Sequence, residues 1–185
     1  MKATILSGLR LMSMLVVLAF VSWQCGGDST GEKAAAGPSG NLFQRYYESY
    51  PAPPPVRAGG TDEERETWNR ATTNYGNGDY VGAIAALEEA LANERPPDPT
   101  VNFYLGVSHM ELATPRPKKA IDYFNKVVAE RKGRYYEAAR WYRALAYLAQ
   151  GEISETRVFL ERIKQEEDEY KKDEVIKLLS QLPGQ

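Results

Sequence analysis

Few residues in this sequence are of the types that usually carry out chemistry in proteins. The chain has one histidine, His109, and one cysteine, Cys25, so no Cys/His cluster is available to bind zinc. No glycine-rich loop follows a strand pattern, and no serine stands in the setting of a nucleophile elbow. Carboxylates such as Glu88 and Glu89 fall on solvated faces of predicted helices. The sequence therefore predicts no enzyme, no metal site and no cofactor.

The charge balance excludes a further class of partner. The 23 basic and 25 acidic residues leave a formal net charge of −2. A mildly acidic surface of mixed sign lacks the basic patch that nucleic-acid binding requires. We expect no nucleic-acid partner.

The N-terminus has the pattern of a targeting segment. Lys2 and Arg10 are its only charged side chains, and residues 11–23 form an apolar run. A basic start followed by such a run is typical of a signal peptide, and the run is shorter than the about 20 residues that span a bilayer. We predict a signal peptide over residues 1–24.

Cys25 follows this segment directly and resembles the lipobox cysteine of bacterial lipoproteins, which is acylated after cleavage. The resemblance implies a lipid anchor in the membrane and a location in the bacterial cell envelope, either periplasmic or at the outer membrane. A soluble product cut near Gly27 and an uncleaved anchor that begins near Ala3 are the alternatives. The Gly-, Ser- and Ala-rich composition of residues 25–40 predicts a flexible linker.

Residues 41–60, the aromatic segment, combine five large apolar side chains with a run of prolines. We predict a short helix from Leu42 that Pro51 ends, followed by a polyproline II stretch. Such a segment could be a ligand for the groove of a partner protein. We instead expect it to fold back over apolar surface of its own chain, because free aromatic side chains promote aggregation.

The rest of the chain has the 3.6-residue apolar period of amphipathic helices. A helix start is indicated at residues 61–64, with Thr61 or Asp62 as the N-cap and acidic residues in the first turn. The predicted helices cover about residues 61–75, 80–93, 99–112, 118–131, 135–150, 154–166 and 173–182.

Small residues recur at a regular interval along these helices. In the first helix of each pair the series is Ala71, Gly106 and Ala144, spaced 35 and 38 residues apart. In the second helix it is Ala83, Ala120 and Thr156, spaced 37 and 36 apart. A repeat of about 34 residues with a few inserted turn residues explains both series.

Residues 78–91, GDYVGAIAALEEAL, resemble the second half of a tetratricopeptide repeat. The resemblance implies an all-α fold, a right-handed α-solenoid of about three helix pairs in residues 61–166, with repeats at 61–97, 98–133 and 134–166. Residues 167–185 are then predicted to form the capping helix that a solenoid needs. A partner-binding amphipathic helix is the alternative for that segment.

In the proteins that this chain resembles, the first helices of the repeats line a groove that binds a peptide. The positions that map onto this groove are Arg65, Trp68, Thr72 and Tyr75, then Phe103, Val107 and Met110, then Trp141, Leu145 and Leu148. Each repeat offers one large aromatic residue at the same place, which suits anchoring of a protein or peptide partner. The alternative interpretation, equally supported, is that these residues form part of the core and are covered by the aromatic segment or by the last helix.

Three residues depart from the pattern of the resembling proteins. Arg70 and Arg143 stand where leucine is usual, so Arg143 must extend to solvent or pair with an acidic neighbour. His109 stands where tyrosine is usual, which implies a packing or hydrogen-bonding role.

Taken together, these patterns lead to one functional hypothesis. The chain is expected to be a non-catalytic envelope lipoprotein that acts as an interaction scaffold in assembling or regulating a membrane complex. The alternatives are an accessory protein for glycan or nutrient uptake, or one that positions a peptidoglycan enzyme.

Overall fold

The fold is described by a computed structural model that covers residues 38–54, 60–93, 98–131, 133–166 and 168–184. The predicted signal peptide, Cys25 and most of the predicted linker lie outside these described residues.

The described part of the chain is all-helical, as predicted. Its helices are α1 Pro38–Tyr46, α2 Asp62–Gly76, α3 Tyr80–Asn93, α4 Pro99–Glu111, α5 Pro117–Ala129, α6 Tyr136–Ala149, α7 Ile153–Gln165 and α8 Lys172–Gln181. The bounds of α2 to α8 agree with the predicted ones within two residues. The 3.6-residue period and the turn residues between helices were therefore sufficient to place these elements.

The start of α2 confirms the predicted capping signal. The Thr61 side chain accepts from the Glu64 backbone N–H at 3.2 Å, and the Glu64 carboxylate accepts from the Thr61 N–H at 2.7 Å. This capping box satisfies two N–H groups that a helix start leaves unpaired.

Consecutive helices pack in the order of the chain, with α2 on α3, α4 on α5 and α6 on α7, and each pair contacts the next. The predicted solenoid of three helix pairs is confirmed. Gly106 on α4 explains how closely one pair packs, because a Cβ there would lie 2.5 Å from Cε1 of Phe124 on α5. Only glycine leaves room for that ring.

The turns inside the first and third pairs use the same backbone device. Gly78 has a φ of 76° and Gly151 a φ of 78°, a left-handed conformation that glycine adopts without steric cost. The two turns therefore correspond in structure as they do in sequence.

Helices α1 and α8 both pack at the C-terminal end of the solenoid. Helix α8 packs against α7 and buries Val175 and Leu178, as expected of a capping helix, and α1 packs against both α6 and α8. Helix α1 begins at Pro38, earlier than the helix predicted from Leu42 and inside the predicted linker. It ends at Tyr46, and residues 47–54 have no regular secondary structure.

Candidate functional site

The first helices α2, α4 and α6 line a common face, which we call the groove. All the residues predicted to line it except Arg65 are buried: Trp68, Thr72, Tyr75, Phe103, Val107, Met110, Trp141, Leu145 and Leu148. Arg65 lies half-exposed near the start of α2, where it donates to the Gly60 carbonyl at 2.6 Å and also bonds to Asp62. Of this set, Trp68, Tyr75 and Phe103 contact residues 50–54, and Trp141 contacts Tyr46 at the end of α1.

Several side chains on this face contact residues 47–54 of the aromatic segment. Four hydrogen bonds join groove donors to backbone carbonyls of this stretch, one from α6, one from α4 and two from α2. They are Tyr142 to Glu48 at 2.7 Å, Tyr104 to Pro51 at 3.0 Å, Tyr75 to Tyr50 at 2.6 Å and Trp68 to Pro54 at 3.1 Å. The segment therefore runs from α6 towards α2, opposite to the order of the repeats.

Tyr50 places its ring in the centre of the groove. The ring meets Phe103 edge-on at a centroid distance of 4.7 Å, and it has the same edge geometry with Tyr104, Tyr135 and Tyr142 at 5.9 to 6.0 Å. Edge-to-face pairs of this kind stabilise beyond the area that they bury. Tyr50 therefore anchors the aromatic segment in the groove through four aromatic contacts.

The turn before Tyr50 is fixed by polar contacts. The Tyr47 hydroxyl donates to the Glu111 carboxylate at 2.9 Å, and Ser49 also donates to it. Glu48 forms an ion pair with Lys171 at 2.8 Å, next to the start of α8. Residues 47–49 are thus held by side chains from α4 and from the C-terminal part of the chain.

The hydroxyl groups of the groove act as neutral hydrogen-bond donors. Burial, the largest cause in each case, raises the pKa of Tyr75, Tyr104 and Tyr142 far above the usual value for tyrosine. A buried hydroxyl needs a partner, and here each one reaches a carbonyl of the aromatic segment.

Sequence reasoning missed Tyr104, Tyr135 and Tyr142 as groove residues. A signal was present, because Tyr104 follows Phe103 and Tyr142 follows Trp141, so the two tyrosines share one repeat position. Their role depends on where the carbonyls of the aromatic segment lie, which periodicity does not contain.

His109 is not part of the groove chemistry. It is buried, its ring stacks on Tyr123 at a centroid distance of 5.6 Å, and neither ring nitrogen has a hydrogen-bond partner among the described residues. Burial, together with the nearby Arg116, lowers its pKa. Of the two predicted roles, packing is the one that the contacts support.

A family model described as tetratricopeptide repeat matches residues 69–135, from within α2 to the turn before α6. This part of the chain is similar to tetratricopeptide repeats. Such repeats generally serve as non-catalytic scaffolds that bind protein partners. No curated protein and no solved structure matches the chain.

Two further features bear on the site. None of the helices in the described ranges combines the length and the apolar character needed to cross a bilayer. Across those same ranges, no three His, Cys, Asp or Glu side chains are grouped so that they could hold a metal ion.

Proposed function

We propose that this protein is a non-catalytic cell-envelope lipoprotein that docks a partner protein during the assembly or regulation of a membrane complex. One observation carries the proposal. Side chains from α2, α4 and α6 bind the backbone of an extended, aromatic stretch of polypeptide. Within the chain itself, the groove already performs the recognition that a docking scaffold performs on a partner.

The contacts define the kind of partner segment that fits. Hydrogen bonds to carbonyl groups select an extended backbone and tolerate many sequences, whereas the ring pocket around Tyr50 selects an aromatic side chain. Arg131 and Arg134 line a cavity together with Tyr50, so cations lie at the edge of this pocket. A partner segment with one central aromatic residue, and prolines that need no N–H partner, fits best.

Residues 47–54 then act as a competing ligand that is always present on the same chain. A partner segment binds only when it exchanges with this stretch, so the apparent affinity falls by the fraction of molecules in which the groove is open. The groove is protected from non-specific apolar contacts until such exchange takes place.

The proposed location in the envelope is supported by the basic start, the apolar run and Cys25. Replacing Cys25 with serine removes the thiol that acylation needs. We expect a Cys25→Ser variant to leave the membrane fraction, or to remain an unprocessed precursor, while the wild type stays with the membrane. A variant that fractionates and migrates like the processed wild type would contradict the lipoprotein assignment.

The docking proposal is tested by affinity capture of the full-length protein from detergent-solubilised envelope. A Tyr50→Ala variant removes the ring that fills the groove, and Gln44→Ala changes an exposed residue of α1 as the matched control. We expect Tyr50→Ala to capture more of a partner protein than the wild type or the control does. Equal capture by all three would place recognition outside the groove.

A further inference from the structure

A second surface lies on the side of α6 opposite to the groove. Arg143 comes two residues after the groove residue Trp141, which is a rotation of about 200° on a helix. Together with α5 and α7, this side of α6 forms a cavity of about 450 Å³. We call it the arginine cleft, and the charged and polar residues that define it are Asn125, Arg131, Arg140, Arg143, Arg162 and Glu166.

Arg140 is fully paired within the cleft. Its side chain is 4% exposed and forms ion pairs with Asp168 at 2.6 Å and with Glu166 at 2.8 Å. These two carboxylates compensate one arginine completely. With Arg131, Arg143 and Arg162 included, four guanidinium groups face two carboxylates, which leaves an excess of two positive charges.

Arg143 is held in a fixed position without a carboxylate partner in the described part of the chain. Its guanidinium lies 4.1 Å from the centre of the Phe159 ring, and its Nη1 donates to Asn125 at 2.9 Å. Its Nε is buried and has no acceptor among the described residues. Burial lowers its pKa, and the nearby Arg140 and Arg162 act in the same direction. Of the two predicted environments, an acidic partner is absent among the described residues, and the half-buried Arg143 extends into the cleft.

The first repeat has at this position the arginine–carboxylate ion pair that the third repeat lacks. Arg70 occupies the repeat position of Arg143, one residue before the small residue of the first helix, and it forms an ion pair with Glu89 at 2.5 Å. Glu89 lies six residues after Ala83 on α3, and Arg162 lies six residues after Thr156, the residue that corresponds to Ala83. The position that supplies the carboxylate in the first repeat therefore holds a second arginine in the third.

Two adjacent arginines with an unused donor favour an anion between them. Phe159 supports both groups, since the Arg162 guanidinium also lies 5.8 Å from its ring centre. Planar guanidinium groups match the oxygens of phosphate and carboxylate in a bidentate way. A phosphate monoester, with a charge of about −1.5 to −2 near neutral pH, balances the excess charge better than a single carboxylate does. We propose that the arginine cleft binds a phosphate group.

The test uses the full-length protein in detergent micelles, with inorganic phosphate as the probe at constant ionic strength set by chloride. Ligand binding to the folded state raises the Tm by an amount that grows with ligand concentration. We expect such a rise for the wild type. Micelles that contain phosphatidic acid, a lipid phosphate monoester, form a second arm. A rise in Tm with this lipid but not with inorganic phosphate would identify a lipid headgroup as the source of the phosphate.

The variant Arg162→Glu rebuilds in the third repeat the ion pair of the first. We expect it to keep the helical circular-dichroism signal, to raise the Tm without phosphate, and to weaken phosphate binding by about tenfold or more. Lys177→Glu makes the same charge change on an exposed residue of α8 and should leave binding unchanged. Should Arg162→Glu fail to fold, Arg131→Gln on the exposed rim should still weaken binding by several fold.

Two results would overturn the proposal. In the first, neither inorganic phosphate nor phosphatidic acid raises the Tm of the wild type above that of the chloride control. In the second, Lys177→Glu weakens binding as much as the cleft variants do, because a general effect of net charge would then explain the protection.

Discussion

The groove and the arginine cleft lie on opposite sides of α6 and differ in how their polar groups are satisfied. In the groove, the hydroxyl and indole donors that face residues 47–54 reach carbonyls of that stretch. In the cleft, Arg143 keeps a buried donor without an acceptor, beside a second arginine. A satisfied surface needs no outside ligand to be stable, whereas an unsatisfied one gains from binding. The groove is therefore closed by its own chain, and the cleft is open to an anion.

The largest effect is expected from removing a fully buried side chain of the groove. Phe103 is 0% exposed, so Phe103→Ala should lower the free energy of unfolding by about 3–5 kcal/mol. Ile176→Ala, at an apolar residue of α8 that is 50% exposed, is the control and should cost much less. Chemical denaturation measures both. A small loss for Phe103→Ala would mean that the groove is an open peptide site and not a filled one.

Removal of the anchor from the aromatic segment should have a smaller and more local effect. Tyr50→Ala loses four edge contacts, so we expect a loss of about 1–3 kcal/mol and faster proteolysis between residues 41 and 60. Gln44→Ala should show neither effect. If Tyr50→Ala were cleaved at the same rate as the wild type and Gln44→Ala, Tyr50 would not hold the segment in the groove.

Removal of single hydroxyl groups separates the contribution of the hydrogen bonds from that of ring packing. Tyr75→Phe, Tyr104→Phe and Tyr142→Phe each keep the ring and leave one carbonyl of the segment unpaired, so each should cost about 1 kcal/mol. Tyr147→Phe, at a tyrosine that stacks on Phe159 instead, is the matched control. Urea denaturation of all four variants gives the comparison. Equal, negligible losses would show that the carbonyl contacts contribute nothing.

The smallest expected effect tests the comparison between repeats. Glu89→Arg gives the first repeat the like-charged pair of the third, and it also removes the hydrogen bond from Thr67. We expect a small decrease in Tm that added salt partly restores, because salt screens repulsion between exposed charges. An unchanged Tm at low salt would show that the Arg70–Glu89 pair is neutral for stability.

Local pattern was enough to predict the solenoid. Periodicity and turn residues predicted the helix bounds within two residues, and the turn glycines Gly78 and Gly151 adopt nearly the same φ angle. The resemblance to tetratricopeptide repeats also pointed to Trp68, Tyr75 and Phe103, which contact residues 50–54. The helices and turns depend on contacts between neighbours in the chain, which sequence patterns encode directly.

The contacts between distant parts of the chain were harder to predict. That the aromatic segment folds back was expected from its exposed aromatics, but the particular carbonyls that Tyr104 and Tyr142 reach depend on the path of residues 47–54. Helix α1 packs against α6 and α8, which are distant in the sequence and lie outside any local pattern. The surroundings of Arg143 likewise come from three helices, α5, α6 and α7. The periodicity of one helix predicted only that Arg143 extends to solvent or pairs with an acidic residue.

The central claim is that residues 47–54 occupy the groove of their own chain, and photo-cross-linking tests it most directly. A benzoylphenylalanine placed at position 50 of the full-length protein keeps an aromatic ring there and reacts with what it touches. We predict cross-links within one chain to peptides that contain Phe103, Tyr104, Tyr135 or Tyr142, identified by mass spectrometry on the monomeric band. Absence of such cross-links, with reaction only to other proteins or to detergent, would contradict the account.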